Sequence, residues 1–218
     1  MDVPTKPPAG KTITALKQQQ KNKDRVSVFL DDAFAFGLSM DAAMHLKKGQ
    51  KLTEAEIAQL KEADGYNKAF HAALRYLGYR QRSCREIERY LADKEYPGEV
   101  IEATIHRLYE YSYVDDEAFA RAFVADRERF RPKGERALRQ ELRHKGIDDE
   151  IITSVLTELD EDASAWAAVE PKMERWLMLD EEVFKKKITG FLGRRGFSYE
   201  IIRTVIERGL IERGRNED

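Results

Sequence analysis

Residues 138–156, LRQELRHKGIDDEIITSVL, show the spacing of apolar side chains that decides the fold of this chain. The same spacing, with steps of 4, 5, 4, 1 and 4 residues, occurs three times at an interval of about 50 residues. The eighteen positions are Ile87-Leu91-Tyr96-Val100-Ile101-Ile105, Leu138-Leu142-Ile147-Ile151-Ile152-Leu156 and Ile188-Leu192-Phe197-Ile201-Ile202-Ile206. Because only 42% of the chain is apolar, chance produces this agreement on the order of once in ten million. The pattern predicts one helical unit that is stacked on copies of itself.

Composition limits the class of protein. With 36% charged residues and a net charge of −2, the chain suits a helical protein with wide solvated faces and no global attraction to nucleic acid. The one cysteine, Cys84, excludes an internal disulfide framework and favours a reducing compartment, so we expect a cytoplasmic protein. No segment approaches the ~20 apolar residues that span a bilayer, and residues 1–11 resemble a flexible Pro/Gly-rich tail rather than a signal peptide.

The segment before the repeats has a period of two, which is typical of strands. Three short strands in a meander are predicted at Thr12–Leu16, Val26–Leu30 and Phe34–Leu38, followed by helical segments at Ser39–His45 and Thr53–Ala63. The last of these begins with Thr53-x-x-Glu56, a capping box. The expected organisation is a tail (1–11), a sheet with a helical segment (12–63) and three helical repeats (64–113, 114–159 and 160–218).

Each repeat accommodates three helices, with a tight turn between the second and the third. Gly146 and Gly196 occupy equivalent places in the last two turns, where a left-handed residue ends a helix at little cost. The first repeat has Glu95 there, so its turn is expected to close differently, helped by Pro97 in the first position of the next helix. Ser83 and Glu86 predict a second capping box.

No constellation of residues predicts catalysis, a metal site or a cofactor. The four histidines, His45, His71, His106 and His144, lie far apart and lack a second ligand three or four residues away. Cys84 has no obvious base, and helix capping explains Asp115-Asp116 better than a pair of catalytic carboxylates. We therefore expect a non-enzymatic protein whose function lies on a surface.

One local cluster of charge stands out. Between residues 127 and 145 the basic side chains outnumber the acidic Glu128, Glu135 and Glu141. The basic residues, called here the basic stripe, are Arg127, Arg129, Arg131, Lys133, Arg136, Arg139, Arg143 and Lys145. On a helix beginning near Gly134, the side chains of Arg136, Arg139 and Arg143 fall within about 60° of one another around the helix axis. The other two repeats lack an equivalent set, so the stripe is either a solvated face or a site for phosphates or an acidic protein.

The short helix, turn and third helix of each repeat resemble a DNA-reading helix-turn-helix motif. In the second repeat, however, the helix that would enter the major groove begins with Asp148-Asp149-Glu150, which phosphates would repel. Sequence-specific reading of bases is therefore not expected. If nucleic acid is bound, we expect contacts to phosphates from the basic stripe.

Two motifs make the second repeat similar to a known family. They are Tyr113-Val114-Asp115-Asp116-Glu117-Ala118-Phe119-Ala120, followed by Phe123 and Arg127, and Glu141-Leu142-Arg143-His144-Lys145-Gly146-Ile147. Together they resemble the RecX family of bacterial recombinase regulators. Leu77-Gly78 and Arg82-Ser83-x-x-Glu86 match its first repeat, while Phe34-Ala35-Phe36-Gly37-Leu38-Ser39, Lys48-Gly49 and Leu52 match the N-terminal part of longer members. The departures are Glu95 in place of a glycine and a long third repeat with Trp166 and Trp176.

The resemblance implies an elongated, curved stack of three-helix repeats and no catalytic residues. It implies a non-enzymatic modulator of RecA, expected to be a negative regulator, which binds along the groove of the RecA–DNA filament and restrains strand exchange and co-protease activity. The setting would be recombination, DNA repair and the SOS response, with the protein acting as a monomer. Weaker binding of single- or double-stranded DNA through phosphates remains an alternative from the residues, as does a helical-repeat adaptor for another protein.

Overall fold

A small sheet precedes a long helical part in the computed structural model, which describes residues 10–20 and 22–217. Four strands form one sheet in the order β3-β2-β1-β4: β1 Lys11–Gln18, β2 Arg25–Leu30, β3 Ala33–Ser39 and β4 Lys51–Leu52. The predicted three-stranded meander is confirmed. The short β4 was not predicted, because two residues are too few to show a period. Residues 1–9 of the predicted tail lie outside the described residues, and Lys11 already belongs to β1.

The turn between β2 and β3 is a tight hairpin loop that the local sequence favours. Leu30 pairs with Ala33, so only Asp31 and Asp32 form the loop, and both have positive φ angles, 49° and 67°. Two-residue hairpins require this left-handed backbone, which aspartate tolerates better than most residues. One face of the sheet is buried and carries Ile13, Val26, Val28, Phe36 and Leu38.

Two helices follow the meander: α1 Met40–Ala43 and α2 Glu54–Leu77. The capping box at the start of α2 is present, since Glu56 N–H donates to Thr53 Oγ1 (3.2 Å) and Thr53 N–H donates to Glu56 Oε2 (2.7 Å). The predicted end of this helix at Ala63 is wrong. Asp64 is 3% exposed inside α2 and binds Arg25 of β2 (2.9 Å) and Lys68 (2.7 Å). The segment boundary predicted at residues 63 and 64 falls inside α2.

The repeats are built from α2 and eight further helices. These are α3 Cys84–Ala92, α4 Gly98–Glu110, α5 Asp116–Phe130, α6 Glu135–His144, α7 Asp149–Thr157, α8 Glu161–Leu177, α9 Glu181–Gly193 and α10 Tyr199–Glu217. Asp115 caps α5 by accepting from Ala118 N–H (2.9 Å), and Asp160 caps α8 by accepting from Ala163 N–H (2.9 Å). None of the eighteen repeated apolar positions is exposed. The spacing found in the sequence is therefore the spacing of the core.

The turn of the first repeat closes in the same way as the other two. Glu95 has φ +63°, close to the values of Gly146 (+79°) and Gly196 (+84°). In each turn the next N–H returns to a carbonyl five residues earlier, as with Tyr96 N–H to Leu91 O at 3.2 Å. The expectation of a different closure is wrong, because shared packing requires one turn geometry and Glu95 adopts it with backbone strain. Pro97 lies one position earlier than expected, at the N-cap of α4.

The chain divides into two compact units. One holds the chain up to Tyr79 together with Glu88–Tyr111, and the other holds Arg80–Ile87 together with the chain from Ser112 onward. The start of α3 belongs to the second unit because two hydrogen bonds hold it there. Ser83 Oγ donates to the carbonyl oxygen of Lys145 (2.6 Å), and Cys84 N–H donates to Asp116 Oδ1 (2.9 Å).

Within the second unit, glycine allows the last two repeats to approach closely. Gly134 N–H donates to the carbonyl oxygen of Arg195 (3.0 Å), and a Cβ at Gly134 would lie 2.5 Å from the carbonyl oxygen of Gly196. Glu161 at the start of α8 accepts from Glu135 N–H (3.0 Å) at the start of α6. The last two repeats therefore meet through backbone contacts, while each keeps its own apolar core.

Candidate functional site

The basic stripe is distributed over two helices and the segments that follow them. Arg127 and Arg129 lie in the last turn of α5, and Arg136, Arg139 and Arg143 lie along α6. The other three members, Arg131, Lys133 and Lys145, follow the ends of these helices. The stripe thus lies in the α5–α6 region of the second repeat. Not all of its eight cations are available to a partner, because several form ion pairs within the chain.

Glu141 neutralises two members of the stripe. Its carboxylate binds Arg127 Nε (3.0 Å) through one oxygen and Lys133 Nζ through the other. Burial alone would raise the pKa of Glu141, but the hydrogen bonds from Lys133 and Arg127 outweigh it and lower the pKa. Arg127 also binds Asp126 (3.0 Å) and lies 4.3 Å from the centre of the Phe123 ring. Arg127 and Lys133 therefore hold the α5–α6 connection together.

The line of three arginines on α6 is also divided. Arg139 binds Glu135 (2.7 Å) and donates to Thr153 Oγ1 (3.1 Å), while Arg143 binds Asp149 (2.7 Å). The hydrogen bond from Arg143 lowers the pKa of Asp149. The acidic start of α7 thus neutralises Arg143, an arginine that its position along α6 had suggested was available to a ligand.

Lys145 has a structural partner outside its own repeat. Its Nζ binds Glu86 of α3 (2.7 Å), which also binds Arg80 (2.9 Å). Burial alone would raise the pKa of Glu86, but these two cations outweigh it and lower the pKa to about 2. The predicted second capping box is therefore only half formed: Glu86 N–H donates to Ser83 Oγ (3.3 Å), while the Glu86 side chain serves Arg80 and Lys145.

Three stripe residues remain without an ion pair among the side chains that the structure describes: Arg129, Arg131 and Arg136. All three are exposed, and Phe130 between the first two is 66% exposed. The Arg129 guanidinium lies 5.1 Å from the centre of the Phe130 ring. We call Arg129, Phe130, Arg131 and Arg136 the exposed basic face. Phe130 was not singled out from the sequence, although its place between two arginines is a signal that could have found it.

The two residues Asp115-Asp116 act as caps of two different helices. Asp115 caps its own helix, α5, whereas Asp116 accepts from Cys84 N–H at the start of α3. Burial raises the pKa of Asp116. The Cys84 side chain is buried. These contacts give both aspartates a structural role in the second unit.

No cluster of three or more His, Cys, Asp or Glu side chains suited to a metal ion occurs within residues 10–20 and 22–217. None of the helices in that part of the chain is long and apolar enough to cross a membrane.

Family models match the chain in the same order as its sheet and its three repeats. Four family models match in order: the RecX N-terminal domain (11–53) and the first, second and third RecX three-helix domains (69–108, 115–156 and 160–206). The chain is 36% identical over 211 residues to the regulatory protein RecX of Bacillus subtilis. The aligned region covers 94% of this chain and 79% of that protein. The chain belongs to the RecX family. Another RecX protein, from Bacillus pumilus, is 38% identical over 197 residues, which is 87% of this chain and 74% of that protein.

Solved RecX structures share the fold. A crystal structure of regulatory protein RecX superposes with a TM-score of 0.73 at 27% identity, covering 90% of this chain and 99% of that one. RecX from Lactobacillus salivarius gives 0.63 at 28% identity, covering 68% of this chain and 99% of that one. The predicted family and the predicted fold class of three three-helix repeats after a small sheet are thus confirmed.

Proposed function

We propose that this RecX-family protein is a non-enzymatic modulator, and a negative regulator, of RecA. It binds along the RecA–DNA filament and restrains strand exchange and co-protease activity. Membership of a family whose named relatives are regulatory proteins supports a regulatory role. Stacked helical repeats offer a long surface for a partner rather than a single pocket.

The observation that carries the proposal is the exposed basic face. Arg129, Arg131 and Arg136 are exposed cations without an acidic partner among the described side chains, and exposed Phe130 adds an apolar contact. Arginine and aromatic residues are enriched where proteins bind one another, and unpaired cations attract an acidic or phosphate-bearing partner. A nucleoprotein filament offers both. The remaining five stripe residues are held in ion pairs with acidic side chains.

The test is a triple charge reversal, Arg129→Glu, Arg131→Glu and Arg136→Glu. The matched control reverses Lys23, Lys47 and Lys51, exposed lysines of the N-terminal part that form no ion pair in the described chain. Binding to RecA filaments assembled on single-stranded DNA is measured together with strand exchange, and circular dichroism checks helicity. We expect the first variant to bind at least about tenfold more weakly and to restrain strand exchange less. Equal affinity for the two variants would refute the site.

Direct binding of DNA without RecA is the second candidate function. The same exposed cations favour it, because they could neutralise phosphates without reading bases. Binding to a naked oligonucleotide in the absence of RecA distinguishes the two functions, since a modulator that recognises RecA itself binds the filament much more tightly than the bare strand.

A further inference from the structure

A second group of cations lies in the third repeat, in a cleft between α8 and α9. The cleft has a volume of about 440 Å³ and is open to solvent. Its polar lining consists of basic side chains, with Trp176, Phe191 and Gly190 completing the wall. The basic residues are Lys172, Arg175, Lys186, Lys187 and Arg194. No aspartate or glutamate lines it.

These cations differ from the basic stripe, five of whose eight members are paired with acidic side chains. In the part of the chain that the structure describes, none of the five cleft cations forms an ion pair. The acidic residues at the start of α9, Glu181 and Glu182, are engaged by Lys185 instead. Positive charge is therefore concentrated in the cleft, whereas in the second repeat most of it is neutralised.

Two buried donors lie at or near the cleft. Trp176 lines the cleft at 5% exposure, and its Nε1 has no hydrogen-bond partner among the described residues. The same holds for Nε of Arg195, whose guanidinium lies 4.2 Å from the centre of the Phe191 ring. Both nitrogens are enclosed by protein, so the charge that a ligand meets in the cleft comes from the five cations of its lining.

We propose that the cleft between α8 and α9 binds phosphate groups of the DNA backbone. Five cations around one opening suit several phosphates of a polymer, because lysine acts as a point charge and arginine grips phosphate oxygens. Stacking of a base is not provided, since Lys172 and Arg195 already cover the Phe191 ring. Binding through this cleft is therefore independent of sequence.

One glycine of a glycine-rich run lies in the wall of the cleft. Gly190 lines the cleft, and a Cβ there would be in ordinary van der Waals contact, at 3.4 Å, with a terminal nitrogen of Arg194. The run Gly190-x-x-Gly193-x-x-Gly196 is thus no phosphate loop, since its first two glycines lie within α9. One of them nevertheless contributes to the cationic cleft.

This inference adds a DNA contact to the proposed function, and its test contains no RecA. The probe is a fluorescently labelled single-stranded oligonucleotide, titrated by anisotropy at several salt concentrations. The variant carries Lys186→Gln, Lys187→Gln and Arg194→Gln, and the control carries Lys23→Gln, Lys47→Gln and Lys51→Gln, which changes the net charge equally.

The cleft variant should bind the oligonucleotide at least about tenfold more weakly at low salt, because three phosphate contacts are lost. The slope of log affinity against log salt should fall by about 2, since each phosphate neutralised on a single strand contributes about 0.7. The control should keep the affinity and the slope of the original protein. Unchanged affinity in the cleft variant, or an equal loss in the control, would overturn the proposal.

Tryptophan fluorescence gives an independent reading of the same site. The chain has two tryptophans, so Trp166→Phe leaves Trp176 as the single fluorophore. Addition of the oligonucleotide should change its emission saturably, and the change should be absent after the three cleft substitutions. Polyglutamate at the same charge concentration tests an acidic protein as the ligand, and a stronger response to it than to DNA would also overturn the proposal. The filament assay on Arg129, Arg131 and Arg136 is separate, so either proposal can fail alone.

Discussion

Glu86 joins the first repeat to the second, and its replacement by glutamine tests that role quantitatively. Its carboxylate binds Arg80 at 2.9 Å and Lys145 at 2.7 Å, and its side chain is only 13% exposed. Glu86→Gln keeps the size of the side chain and removes its charge. Both cations then lose an ionic partner, and the start of α3 loses an attachment to the segment that follows α6.

The expected magnitude follows from the pKa of Glu86, which the two cations lower from 4.5 to about 2. A lowered pKa stabilises the folded chain at pH values above the unfolded value, and this stabilisation is lost as the pH falls toward the folded value. The difference corresponds to about 3 kcal/mol at pH 7, of which about 2 kcal/mol remain at pH 3.5. The variant has no carboxyl to titrate at this position.

The assay is urea unfolding of the original protein and of Glu86→Gln at pH 7 and pH 3.5, followed by circular dichroism. Glu102→Gln, an exposed position on α4, serves as the control. We expect the free energy of unfolding to differ between the original and Glu86→Gln by up to about 3 kcal/mol at pH 7, and this gap to shrink by about 1 kcal/mol at pH 3.5. A gap that is equal at both pH values, or larger in acid, would refute the ionic role of Glu86.

Two further substitutions test the turn and the basic stripe. Glu95→Gly should stabilise the chain by about 1 kcal/mol, because glycine adopts φ +63° without strain; thermal unfolding measures this, and Glu95→Ala, which keeps the strain, should show no gain. Glu141→Gln should free Arg127 and Lys133 and strengthen binding to RecA filaments severalfold at low salt, an effect that high salt should remove. Weaker or unchanged filament binding by a helical Glu141→Gln protein would count against the second repeat as the binding surface.

The periodic part of the fold could be predicted because burial and spacing are directly linked. Positions such as Leu138, Leu142 and Ile188 recur at one spacing, and each is fully buried. Asp64 shows where this reasoning fails. The helix was predicted to end just before this residue, yet Arg25, 39 residues away, pairs with Asp64 inside the continuous helix α2. The prediction for the turn at Glu95 was wrong for a related reason. Packing common to the three repeats outweighed the preference of glutamate for a negative φ angle.

The candidate site could be predicted only in part. Counting charges along the chain located the α5–α6 region, but it treated Arg139 and Arg143 as available for a ligand. The pair of Arg139 with Glu135 is a contact four residues apart within α6, which spacing alone can suggest, whereas the pair of Arg143 with Asp149 depends on where α6 and α7 lie. The cleft of the third repeat was missed because its cations come from two helices and the segment after them. The run Lys185-Lys186-Lys187 does not show along the chain that Lys172 and Arg175 of α8 lie beside it.

From the sequence alone follow the three helical repeats, their small N-terminal sheet, their common core and the family, since these depend on the order and spacing of side chains. Which cations are available to a partner was decided by the tertiary structure. An ion pair forms over about 3 Å, and such a distance exists only after helices have packed. Folding neutralises Arg127, Lys133 and Lys145 through Glu141 and Glu86, and it gathers Lys172, Lys186 and Arg194 around one cleft without an acid.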